Sequence, residues 1–180
     1  MASHKLFADE TPVPVLDPGR GRTKTGQLWA YARDDRPWTG RSPPAVVYVC
    51  APDRTKARPR EHLAGFSGSL QVDGYAAYRS LTEAGKITLA LCWVHARRRF
   101  YEIVARGPAP IAEEALRRIA ALYAIEAEVR GQDAEARRTA RQTHSKSLIE
   151  AFEPWLRAQL ASVSAKSETA EAIRYLLTHW

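Results

Sequence analysis

The sequence predicts an α/β fold: a mixed five-stranded sheet in the first half of the chain, then an all-helical C-terminal segment. Three observations carry this. Eight of the ten glycines fall before residue 90, which marks a turn-rich half and a turn-poor half. The first half holds short β-prone apolar runs, such as AVVYVCA at 45–51 between Pro44 and Pro52. From Ile111 onward the apolar residues recur at helical spacing.

The elements follow in order. Lys5 to Leu16 is extended, but Pro12 and Pro14 interrupt it. A proline cannot donate to a ladder, so the second half should be an edge, bulge or bend. Asp17-Pro18-Gly19 signals a turn. Gln27 to Arg33 alternates moderately, and with 45–51 it suggests an antiparallel meander. A short helix is expected over 59–66, a strand at 70–72, a helix over 75–84, a strand over 86–93 and a basic helix over 94–105. Strands alternating with helices imply parallel crossovers. Helices are then expected over 111–130, 147–163 and 168–180, packed as a small antiparallel bundle. The stretch 133–143 is highly charged and has no apolar stripe. The division is expected between 1–110, a sheet-based core, and 111–180, a helical segment.

The composition narrows the function. The 180 residues hold 27 Lys or Arg against 20 Asp or Glu, a net charge of +7, and 45% of residues are hydrophobic. That composition argues against wholesale disorder. The two cysteines cannot build a disulfide framework, which points to a reducing compartment. No apolar run reaches the roughly 18 residues that a membrane helix needs, and MASHKLFADE lacks the apolar stretch of a signal peptide. A cytoplasmic protein without a membrane partner is expected. The charge is uneven: residues 17–60 hold ten Lys or Arg against four Asp, whereas 91–180 hold fourteen against eleven Asp or Glu. Such a basic stretch suits solvated loops or a phosphate-contacting face.

Four features could carry chemistry. Asp9 follows an apolar strand start, and Asp73 stands where a short apolar strand gives way to Gly74. Two such acids on adjacent strands could share divalent metal ions, which activate an attacking oxygen at a phosphodiester and stabilise the leaving one. Glu10 should point to the opposite face of its strand from Asp9, which makes it the lesser candidate. Cys92 and His95 have the spacing of half a zinc site, but no second pair lies at a usual spacing, so zinc is not expected. Arg97, Arg98 and Arg99 spread over about 200° of a helix and cannot all face one partner. Gly19 to Gly26 is not a Walker A loop; its Arg20, Arg22 and Lys24 fit a hairpin loop with room for backbone phosphate contact.

ADETPVPVLDPGRGRTKTGQLWAYARDDRP, LQVDGYAAY and CWVHARRRF, in that order and spacing, resemble the insertion-sequence-66 family of bacterial transposases. PWLRAQL and AEAIRYLL are similar to its helical part, so the resemblance covers essentially the whole chain. It implies a ribonuclease-H-like core with the first and fourth strands side by side. It also implies a DDE triad that binds Mg²⁺ or Mn²⁺ for DNA cleavage and strand transfer. By motif position Asp9 matches the first acid and Asp73 the second. Arg20, Arg22, Lys24, Arg97 and Arg98 become candidates for contact with DNA at transposon ends and target. The resemblance would make 111–180 an insertion ahead of the last catalytic helix. The family's third acid, in an Asp-Asn-Asn-x-x-Glu-Arg-like segment, has no match here; Glu168 and Glu171 do not sit in that motif. The expectation is therefore the central, truncated part of a transposase, inactive alone. A second expectation is a non-catalytic remnant, regulatory or decaying, that binds DNA or full-length transposase through Trp155, Trp180 and an exposed side of the last helix.

Overall fold

The computed structural model describes residues 3–180 and divides into two compact units. The first comprises the chain to Asp35 together with Arg41–Cys92; the second comprises Arg36–Gly40 and Trp93–Trp180.

The first unit is the sheet. Strands β1 (Lys5–Asp17), β2 (Arg22–Arg33) and β3 (Ala45–Ala51) form an antiparallel meander. Strand β4 (Gly68–Val72) pairs parallel with β1, and β5 (Ile87–Leu91) pairs parallel with β4. The order β3-β2-β1-β4-β5 places the first and fourth strands side by side, as expected. This is the mixed sheet of a ribonuclease-H-like arrangement.

The prolines of β1 find the place that their chemistry requires. Pairing with β2 runs from Phe7 to Asp17, but pairing with β4 covers only Lys5 to Phe7. The His4 carbonyl accepts from the Ser69 amide, so the even-numbered residues of β1 turn their backbone groups toward β4. Pro12 and Pro14 therefore aim their nitrogens at an edge with no strand beside it, and no ladder bond is lost.

One face of the sheet carries the core: Leu6, Ala8, Trp29, Tyr31, Leu70 and Val72 are buried. Helix α1 (Ala57–His62) and the short helix α2 (Ala76–Arg79) precede Leu63 and Leu81, which join this cluster together with Tyr78. The Trp29 indole meets the Tyr78 and His62 rings edge-on, at 6.2 and 5.8 Å. His62 Nδ1 lies 2.9 Å from the Tyr31 hydroxyl, and burial pushes its pKa down. A cavity of about 350 Å³ opens here, lined by Leu6, Tyr31, Val49 and Phe66 among others.

Two elements differ from expectation. The expected helix over 75–84 is only four residues long. The Ser80 and Thr82 hydroxyls bond back to the carbonyls of Ala77 and Arg79, a local alternative to helix continuation, and Gly85 follows with φ +68°. The basic stretch Arg22–Gly26 belongs to β2, because it pairs residue by residue with Val13–Asp17; only a short turn remains of the expected loop.

Gly68 fixes how β4 enters the sheet. Its φ is +135°, and a Cβ there would stand 2.2 Å from the His4 carbonyl oxygen. Backbone cannot rotate away as a side chain can. Gly68→Ala is expected to cost about 2 kcal/mol, and urea unfolding measures it. A stability equal to wild type would show that the β1–β4 junction yields easily.

The second unit is helical. It contains α3 (Trp93–Val104), α4 (Pro110–Glu128), α5 (Ala134–Ala140), a π-helical turn (Arg141–Ser145), α6 (Lys146–Ser162) and α7 (Glu168–Thr178). Its core joins Ala96 and Phe100 of α3 to Ala112, Ala115, Ile119, Phe152, Leu156 and Ile173. Helix α3, placed with the sheet on sequence, thus belongs with the later helices, because its buried side chains complete their core. The charged α5 has no buried residue. Asp133 caps it by accepting from the Ala136 amide, and Glu126 accepts from Arg137 and Arg141. Those bonds hold the Glu126 carboxyl below its ordinary range. The last helix buries, at Ala170, Ala172, Ile173 and Leu176, the apolar side that was expected to be open, while Trp180, whose ring lies 6.1 Å from those of Trp93 and Phe152, stays 43% exposed. Among the described residues no helix is long and apolar enough to cross a membrane.

Candidate active site

The site lies at one end of the sheet, where β1 passes beyond the last residue of β4. Register determines what meets there. The last β1–β4 pair is Phe7 with Gln71, and Asp9 and Asp73 each lie two residues further along adjacent parallel strands. Asp9 is exposed, and its Oδ1 accepts from the Glu10 amide at 2.9 Å. Asp73 stands just past the end of β4, with its side chain 23% exposed. Its Oδ1 accepts from the Tyr75 amide at 2.8 Å, which closes a turn at the strand exit and fixes the carboxylate.

Strand alternation turns Glu10 to the opposite face from Asp9, as expected. Its environment was not legible from the sequence. The Glu10 side chain is fully buried, at the end of the row formed by Leu6 and Ala8. Its Oε2 accepts from the Tyr78 hydroxyl at 2.7 Å, and its Oε1 accepts from Arg54 Nε at 2.8 Å and from Arg54 Nη2. Burial outweighs these bonds and raises the Glu10 pKa. Burial also raises the pKa of Tyr78, and the neighbouring Glu10 adds to it.

Arg54 is the residue that sequence reasoning missed. It stood in the basic stretch 17–60, with nothing in its own motif to single it out. It links the two faces: Nη2 lies 4.0 Å from Asp73 Oδ2 while the guanidinium is held by Glu10, and its centre lies 3.9 Å from the Tyr75 ring centroid. The Tyr75 hydroxyl donates to the Arg54 carbonyl. The loop itself is pinned: Asp53 accepts from the Thr55 amide and hydroxyl and from Arg58 Nε and Nη2. Arg58 chiefly holds the Asp53 carboxyl well below the usual range.

The hairpin candidates lie elsewhere in the first unit. Arg20 and Lys24 sit at the far end of the β1–β2 hairpin, 3.6 and 4.0 Å from Asp17, and Arg22 is exposed beside them. That hairpin end is eight residues from Asp9, or about 26 Å along a strand. Arg97 and Arg98 are exposed on α3 in the second unit; the Arg97 guanidinium lies 5.7 Å from the Tyr101 ring, while Arg99 covers the Tyr175 ring at 4.0 Å. Among the described residues no three His, Cys, Asp or Glu side chains gather as a metal-binding group.

The sequence that builds this sheet and its open end also matches known proteins. The whole chain, residues 1–180, matches the transposase IS66 family. It belongs to that family. Three similar proteins come from Sinorhizobium fredii. Uncharacterized protein y4qI is 47% identical over 97% of this chain and 34% of its own length. Uncharacterized protein y4jD is 44% identical over 98% of this chain and 36% of its own. Uncharacterized protein y4hP is 38% identical over 99% and 35%. This IS66-family chain thus spans about a third of the length of the curated relatives that it matches. No solved structure matches it.

Proposed function

We propose that the chain contributes two of the three acids of a metal-dependent DNA transposase, with Asp9 and Asp73 as the catalytic pair. The observation that carries this is their register: equal steps beyond the last β1–β4 pair, on adjacent parallel strands. The reading takes DNA as substrate, both transposon ends and target, and the bacterial cytoplasm as the place of action. Family membership and the basic character of residues 17–60 support it.

The donors suit a hard dication. Mg²⁺ binds through one or two carboxylates and fills its other positions with water and substrate phosphate. Asp9 and Asp73 are such carboxylates, and Asp9 is exposed. Mg²⁺ or Mn²⁺ held there would supply Lewis-acid polarisation of the phosphodiester and an activated oxygen nucleophile. The chain's own part is positional. The Tyr75 amide holds Asp73 Oδ1, the Glu10 amide holds Asp9 Oδ1, and the β1–β4 ladder keeps the two strand ends adjacent. The third acid has no counterpart among these 180 residues. By this reading the chain alone does not cleave DNA, and on its own it acts through binding.

The test is a chimera in which these residues replace the matching segment of uncharacterized protein y4qI. It is assayed with Mg²⁺ on duplex DNA carrying the sequences that flank the y4qI coding region. Cleavage by the chimera, with none by the 180-residue chain, is the expected result. Cleavage by the isolated chain would contradict the assignment of a missing third acid.

A further inference from the structure

We propose that Arg54 binds a phosphate of the DNA substrate beside Asp73, and that Glu10, with Tyr78, is the buried anchor that sets its geometry. This rests on the transposase reading and names a contact within the same site.

Guanidinium has five N–H donors in a planar fork that matches phosphate. In Arg54, Nε and Nη2 are engaged by one oxygen of Glu10. Nη1 donates to no protein group among the described residues, and the side chain is 45% exposed. The edge formed by Nε and Nη2 thus faces a fully buried carboxylate, with Nη2 also 4.0 Å from Asp73 Oδ2, which leaves Nη1 of the half-exposed side chain for a ligand beside Asp73. Tyr75 holds the group from both ends, its ring beneath the guanidinium and its hydroxyl on the Arg54 carbonyl. A surface arginine paired only for stability needs no second clamp of this kind. Much of the ordering entropy of the side chain is already spent before a ligand arrives. An anionic ligand also suits the position: a cation set against an acidic pair offsets the repulsion that a phosphodiester would meet from Asp9 and Asp73.

The test is binding of the 180-residue chain to a 20-base-pair duplex, followed by fluorescence anisotropy across a salt series. Glu10→Gln/Arg54→Met removes both charges, so the net charge stays at +7 and no buried carboxylate is orphaned. The double variant is expected to bind about tenfold more weakly, with a log–log salt slope smaller by about one. Arg54→Lys keeps the charge and the slope but loses the fork, and should bind about threefold more weakly. Should the double variant fail to fold by circular dichroism, Arg54→Lys decides: unchanged affinity overturns the proposal and the stated loss supports it. Wild-type affinity and slope in a folded double variant overturn the Arg54 assignment alone. A wild-type chain that does not bind DNA overturns the transposase reading as well.

Discussion

Asp9→Asn and Asp73→Asn, each placed in the cleaving chimera, are expected to lower cleavage by at least about 10³-fold, or roughly 4 kcal/mol of transition-state stabilisation. DNA affinity should change by less than about twofold, because neither acid contacts phosphate through a donor of its own. The reason is specific to carboxylate chemistry. Asn preserves the size and one oxygen of Asp, and can still accept the Tyr75 or Glu10 amide bond seen here. What it loses is the negative charge that a hard dication requires. A structural role would leave the Asn variants largely active, so cleavage within about tenfold of wild type would reject the assignment. Single-turnover measurements on preassembled complexes separate chemistry from binding.

Arg54→Ala is expected to destabilise the chain by about 3 kcal/mol in urea unfolding. Glu10 is fully buried and would lose the partner that compensates its charge. Two effects limit the cost. Arg54 is 45% exposed, so water already screens the pair. Burial also raises the Glu10 pKa, so the orphaned carboxyl can take up a proton instead. The double variant Glu10→Gln/Arg54→Met should stay within about 1 kcal/mol of wild type, since it leaves no buried charge behind. The difference is the signature: two mutations in contact should be far from additive. Additive losses in the cycle of Glu10→Gln, Arg54→Met and their double variant would show that Glu10 and Arg54 act independently.

These expectations rest on parts of the molecule that differ in how readable they were. The strand at Ala45–Ala51 was legible to the residue, because a β-branched apolar run between two prolines has one reading. The side-by-side placement of β1 and β4 came from the resemblance and agrees with the observed register. The length of β2 was not legible. Arg22 to Gly26 reads as a loop by composition, yet Thr23 and Thr25 are β-branched and find partners in Leu16 and Pro14. Helix α3 was legible as a helix but not by allegiance, since which core receives Ala96 and Phe100 depends on tertiary packing. Asp9 and Asp73 could be singled out as an acid after an apolar strand start, an acid before Gly74 and by their motif positions in the resemblance; Asp9 lies inside β1 rather than at its end. Arg54 could not be singled out. Its meaning comes from Glu10 44 residues before it and Asp73 well after it, and no local spacing records that convergence.

The claim that Asp9 and Asp73 form one metal centre can be tested on the 180-residue chain without any cleavage. Mn²⁺ titrated into the chain should raise the relaxation rate of solvent water through a single class of site. Asp9→Asn and Asp73→Asn should each weaken that same site by at least about tenfold, and the double substitution should weaken it little further. If either single variant binds Mn²⁺ as wild type does, or if the two losses simply add as at separate sites, Asp9 and Asp73 do not form one metal centre.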